Sequence, residues 1–157
     1  MTIAPLVHSV EVKASPARAF DLFTSRAGDW WPKGATLCKG DHDGVFIEPR
    51  VGGRWYERDG QGAEIQWGEV LAWEPPGRLL LAWQLDAAWT YRPDLITEVE
   101  LTFAPLPGGG ARVTLEHRGF ERLGADGAAF AARLDSGWPS RVADFGRYAD
   151  EHAEVGA

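Results

Sequence analysis

The chain has 157 residues, 45% of them hydrophobic and 25% charged, with 16 Lys+Arg against 23 Asp+Glu for a formal charge of -7. At 17.2 kDa the surface-scaling rule gives roughly 7,800 Å² exposed when folded against roughly 25,000 Å² unfolded, so one domain over residues 1–157 with a full hydrophobic core is expected. The acidic balance argues against a nucleic-acid partner, whose phosphates demand cations, and no run approaches the roughly 18 apolar residues of a membrane span.

Val7 to Lys13 alternates in the manner of a strand. Ser15-Pro16 then supplies a helix start, a capping hydroxyl followed by a residue suited to the first helical position. Ala17, Phe20, Leu22 and Phe23 form the apolar stripe of that helix, which should end before Gly28. Trp30-Trp31-Pro32 reads as a turn or a second short helical piece.

From Leu37 to Arg118 the chain is punctuated by Asp43-Gly44, Gly52-Gly53, Asp59-Gly60, Pro75-Pro76-Gly77 and Pro107-Gly108-Gly109-Gly110, all turn signals. Strand-like runs lie between them: 45–50, 54–58, 64–74, 78–85, 95–104 and 111–118. Thr97, Val99, Leu101 and Phe103 form the strongest inward set, and Val113, Leu115 and His117 repeat it, as expected of a sheet buried on one face.

The last third changes period. Phe130, Leu134, Trp138, Val142, Phe145 and Ala149 recur every three or four residues, an amphipathic helix long enough to cross a sheet. Pro139 either bends this helix or begins a second one. The order reads as α+β: one strongly curved antiparallel sheet of about six or seven strands around a long C-terminal helix, with two short helices after the first strand.

Several stretches resemble a known family. They are Val10 to Phe20 with Leu22-Phe23, then Trp30-Trp31-Pro32, Val51 to Glu57, Gly68-Glu69-Val70, Glu74 to Arg78, Trp83, Val113 to Phe120 and Gly137-Trp138. In order, they resemble the helix-grip fold of the START-related SRPBCC superfamily, in the branch of homologues of the activator of the heat-shock protein 90 ATPase. The resemblance implies a cavity between sheet and long helix that takes a hydrophobic or aromatic ligand, and it does not by itself imply a reaction.

Eight tryptophans are present, and Trp55, Trp67, Trp73, Trp83 and Trp89 fall on or beside central strands. They are either the walls of an aromatic pocket or ordinary core. The expected lining is Trp55, Trp67, Trp83, Trp89, Tyr91, Arg50, His117, Phe103, Leu134 and Trp138. The inward His117 is read either as a ligand contact, general base or pH sensor, or as a strand-end imidazole bonded to backbone or to an acid. His8 shares its parity on a strand that the resembled fold places next door. Glu69 is a buried carboxylate if Trp67 and Trp73 mark the inner face, and merely exposed if Gly68 and Val70 do. Arg50, Arg54 and Glu57 form either a polar end to the cavity or solvated cross-strand pairs. The loop from Asp86 to Asp94, with Trp89, Tyr91 and Arg92, closes over a pocket or is a plain hairpin connection.

No GxSxG, P-loop or HExxH motif occurs, and Gly108 to Gly110 precedes no phosphate-binding helix. Catalytic residues are therefore not recognised, beyond His117 and Glu69 as candidates, and no cofactor or metal site is expected. Cys38, beside Lys39 and Asp41-His42, reads as a strand cysteine rather than a tuned thiol. With no partner thiol for Cys38 and no secretory signal, a reduced, cytoplasmic setting is expected. The leading expectation is a binding protein for a small hydrophobic or aromatic ligand, as monomer or homodimer. The alternatives are a cyclase, aromatase or hydrolase using cavity acid–base residues, and a module that stimulates a chaperone ATPase.

Overall fold

In a computed structural model, residues 3–31, 42–86 and 88–153 are described; the readings of Pro32, and of Cys38 with Lys39 and Asp41, fall outside them. The elements are β1 (Leu6–Val12), α1 (Pro16–Ser25), α2 (Ala27–Trp30), β2 (His42–Ile47), β3 (Arg54–Asp59), β4 (Glu64–Glu74), β5 (Arg78–Trp83), β6 (Thr97–Pro105), β7 (Ala111–Arg118) and α3 (Gly127–Glu151). A 3-10 segment, Phe120–Asp126, which the sequence pattern does not announce, leads into α3. The strands form one antiparallel sheet in the order β1-β7-β6-β5-β4-β3-β2. The α+β helix-grip expectation holds.

Local chemistry explains the ends of the elements. The Ser15 hydroxyl accepts the Arg18 N–H at 3.2 Å, and Pro16 opens α1. Phe20 and Phe23 then enter the core, Phe20 against Trp73 (5.0 Å between ring centres) and Phe103 (5.3 Å), and Phe23 against Phe145 (5.2 Å). Each such burial is worth roughly 2 kcal/mol.

The hairpin of β6 and β7 pairs Val99 with His117, Leu101 with Leu115 and Phe103 with Val113 on the inner face. On the outer face Arg118 reaches Glu98 (3.0 Å), Glu100 (2.9 Å) and Glu116 (3.0 Å). Those part-exposed pairs specify register more than they add stability.

β4 carries two bulges, one where Trp67 and Gly68 together oppose Trp55, the other at Leu71 between Val70 and Ala72. Each inserts one residue and reverses the inside-outside parity beyond it. Trp67 and Val70 are consequently both buried. Glu69 pairs with Arg54 and Ala82, in the outer-face row that continues to Glu98 and Arg118. Gly68 is required because a Cβ there would stand 1.7 Å from the Ala82 carbonyl oxygen.

The helix α3 runs unbroken through Pro139, whose exposed position leaves the carbonyl of exposed Asp135 to water rather than stranding it in the core. Its far half is packed tight: Phe145 fits between Phe23 and Trp30 (5.2 Å each), and Gly146 lies where a Cβ would meet Val10 at 2.7 Å. Polar ties hold it to β1 and its flank, His8 Nε2 to Asp135 at 2.9 Å and the Lys13 N–H to Asp150 at 2.8 Å. The interior beneath its near half is not filled.

Candidate functional site

The unfilled space is a cavity of about 550 Å³, within the size range of small-molecule sites. The sheet supplies its floor through Trp67, Trp83 and Leu85; the helix supplies the facing wall through Leu134, Gly137 and Trp138; Trp31 closes one end. Trp89 stands over it, its ring 5.5 Å from Phe130 and 6.4 Å from Trp83. Arg133 and Arg141 complete the rim. By contrast, the space among Phe23, Trp30, Val113 and Phe145 amounts to about 10 Å³, too little for anything but a single water.

Trp89 owes its place to Asp86. One Asp86 carboxylate oxygen accepts the N–H groups of Ala88 (2.9 Å) and Thr90 (3.0 Å), folding the loop back on itself. The turn holds Trp89 at a φ of 61°, a left-handed conformation that costs a non-glycine residue on the order of 1 kcal/mol. The indole's contact with the cavity wall offsets that strain.

Behind the wall runs a line of hydrogen bonds. The Trp138 indole N–H donates to His117 Nδ1 at 3.0 Å. The Thr97 hydroxyl donates to the Trp83 carbonyl at 3.0 Å, so its lone pair accepts from His117 Nε2–H at 2.8 Å. Those partners assign the Nε2–H tautomer. Burial pushes the imidazole's pKa down to about 3, because no carboxylate accompanies it to compensate a charge. His117 is a neutral strut that orients Trp138, with neither nitrogen turned to the cavity. A second indole is fixed likewise: Trp67 N–H donates at 2.9 Å to Glu57, which is fully buried. The buried Trp83 N–H has no acceptor among the described residues.

Of the residues expected at the cavity, Trp67, Trp83, Trp89, Leu134 and Trp138 come together around it. Trp55 lies behind them, 5.5 Å from Trp67 and 5.4 Å from Trp83. His117 is one layer deep, and Phe103 sits in the filled end against Phe20 and Phe23. Arg50 is exposed and pairs with Glu48 at 3.4 Å, while Arg54 bridges Glu48 and Glu64, so the two arginines form surface pairs; Glu57 is instead buried and bound to the Trp67 indole behind the cavity wall. Tyr91 is bridged to Leu85 through the backbone without entering the lining; its phenol is pushed up by burial and then by the Glu69 carboxylate. Glu69 is on the outer face and His8 is engaged with Asp135, so neither joins His117. Among the described residues no three His, Cys, Asp or Glu gather to hold a metal ion.

Trp31, Leu85, Arg133, Gly137 and Arg141 complete the lining without being anticipated. Arg133, Gly137 and Arg141 are spaced by four, which is one face of a helix. That spacing was the available signal, hidden because arginines between apolar positions resemble a solvated face.

An antiparallel sheet gripping a long C-terminal helix, with an indole-walled hollow between them, is the architecture of a helix-grip domain. The chain belongs to the Activator of Hsp90 ATPase homolog 1-like proteins, whose family profile matches residues 13–149. Among solved structures it is similar to the anthrahydroquino-γ-pyrone synthase Txn09, at 40% identity over 93% of this chain and 97% of that one (TM-score 0.65). It is similar also to CalC, a self-sacrificing resistance protein of Micromonospora echinospora, at 32% identity over 96% and 97% (TM-score 0.69). The Aha1 dimer of Colwellia psychrerythraea shares the fold at 18% identity over 98% of both chains (TM-score 0.58). Comparison with curated proteins returned no match. Among the described residues no helix is long and apolar enough to cross a membrane.

Proposed function

We propose that the protein binds a flat hydrophobic or polycyclic aromatic small molecule between β4–β5 and the near half of α3. One observation carries the reading: of two halves of one interior, the half beneath Phe145 is filled and the half beneath Trp138 holds about 550 Å³ walled by indoles. Indole faces offer a fused ring system large contact area in offset or edge-to-face geometry. The similarity to a synthase whose name contains an anthrahydroquinone skeleton supports the ligand class. Titration with anthraquinone-2-carboxamide, read by intrinsic tryptophan fluorescence, should give saturable one-site quenching. Linear, non-saturating quenching would refute the reading.

The same similarity favours a second reading, ring closure on such a ligand. The balanced step is addition of a phenol O–H across a carbonyl, the oxygen bonding to carbon and the proton passing to the carbonyl oxygen, followed by loss of the new hydroxyl with a hydrogen from the adjacent carbon as water, which leaves a C=C bond. Among the described lining residues the only titratable groups are Arg133 and Arg141. Catalysis here would therefore rest on confining a near-attack conformer and on cationic stabilisation of an oxyanion, with no role for His117 as a base. Product mass lower by one water after incubation with an ortho-hydroxyaryl 1,3-diketone, at a rate above buffer, is the expected result. No acceleration over buffer would remove it.

A further inference from the structure

Gly137 is out of place as helix chemistry. It sits mid-way along the 25-residue α3, where glycine costs roughly 1 kcal/mol relative to alanine. Nothing in the packing demands it: a Cβ built there meets no atom within 4 Å, and its backbone is not left-handed. The space its missing side chain leaves is cavity.

One turn before it stands Arg133 and one turn after it Arg141, both on the cavity rim. Arg141 lies 6.0 Å from the Trp31 ring and 3.1 Å from Asp144. Asp144 also serves Arg147 at 2.5 Å, so one carboxylate is shared by two guanidinium groups and leaves positive charge in excess. Among the described lining residues there are two cations and no carboxylate, in a protein whose net charge is -7. Guanidinium groups at the mouth of an apolar hollow favour an anionic ligand there even where the overall charge is negative.

We propose that the ligand is an acidic aromatic: its rings lie among Trp67, Trp83 and Trp138, and its carboxylate or ionised phenol occupies the gap over Gly137 between Arg133 and Arg141. Guanidinium groups match such oxyanions in charge and in planar geometry. This rests on the binding reading above and goes beyond it by fixing the ligand's charge and orientation.

The test compares two probes of equal shape, anthraquinone-2-carboxylate and anthraquinone-2-carboxamide, by quenching of tryptophan emission at low salt. The carboxylate should bind about tenfold tighter, the scale of one partly solvated charge-assisted contact, and added sodium chloride should shrink that advantage. Arg133→Gln and Arg141→Gln should each weaken carboxylate binding several-fold more than carboxamide binding. If the carboxamide binds as tightly as the carboxylate, the acidic-ligand inference falls while the cavity reading stands. If both arginine variants weaken both probes equally, the anion gap is likewise refuted. Quenching by neither probe would overturn the cavity reading together with it.

Discussion

A glycine kept at a cost in stability for the sake of empty space makes a prediction with two opposite signs. Gly137→Ala replaces the poorest ordinary helix former with the best, within a helix whose neighbours leave the new methyl unobstructed, so unfolding should become harder by roughly 1 kcal/mol. Gly137→Leu keeps most of that gain, since leucine's propensity is close to alanine's, and adds burial of about 0.8 kcal/mol per methylene removed from water. The leucine side chain nevertheless takes up part of the cavity that Gly137 lines. Anthraquinone-2-carboxamide should then bind more than tenfold more weakly to Gly137→Leu, and close to normally to Gly137→Ala. Urea unfolding followed by circular dichroism gives the first sign, and fluorescence titration the second. A Gly137→Leu protein that is less stable than its parent, or that binds the probe undiminished, would show that the glycine does not guard the cavity.

Because the imidazole of His117 has a pKa near 3 when folded and 6.5 when unfolded, the unfolded chain takes up the proton first as pH falls. Its contribution is intact above the unfolded pKa and is lost downwards through the window between the two values, roughly 2 kcal/mol between pH 8 and pH 5. His117→Gln, which offers one donor and one acceptor but does not titrate, should flatten the urea-midpoint profile by about that amount; equal slopes, or an imidazole NMR signal titrating near pH 6.5, would contradict it. Trp138→Phe strands the His117 Nδ1 acceptor and should cost about 1–3 kcal/mol more than its ring truncation alone. Trp83→Phe breaks no side-chain hydrogen bond among the described residues and should show no such excess in the same denaturation assay. At position 89, glycine should be more stable than alanine by roughly 1 kcal/mol, since both lose the indole but only alanine pays for a positive φ; the reverse order would remove the strain argument.

The fold was legible because its instructions are local. Ser15-Pro16 caps a helix, and the alternation of Thr97, Val99, Leu101 and Phe103 is undisturbed by any bulge, so parity and pairing agree. In β4 the same reasoning stalls, because one inserted residue lets Trp67 and Val70 share the inner side and turns Glu69 outwards, and a second, at Leu71, brings Trp73 back to the inner side. Parity likewise brings His117 inside without revealing that Trp138 and Thr97, 21 and 20 positions away, consume both its nitrogens. Phe103 and Trp83 look equally interior in the sequence. Which of them borders a hollow depends on how closely α3 approaches, and that is decided by the rings of Phe23, Trp30 and Phe145 at one end only.

Seven of the eight tryptophans form one run of near neighbours. Trp30 lies 5.5 Å from Trp31, Trp31 5.0 Å from Trp67, Trp67 5.5 Å from Trp55, Trp55 5.4 Å from Trp83, and Trp83 reaches both Trp89 (6.4 Å) and Trp138 (5.5 Å). At such separations the electronic transitions of the rings couple, and excitation migrates from one to the next before it is emitted. The protein is thus an optical antenna: its ultraviolet circular dichroism carries exciton bands set by the mutual tilt of the rings. A single energy acceptor lodged beside Trp83 darkens the entire array, including Trp30 at its far end.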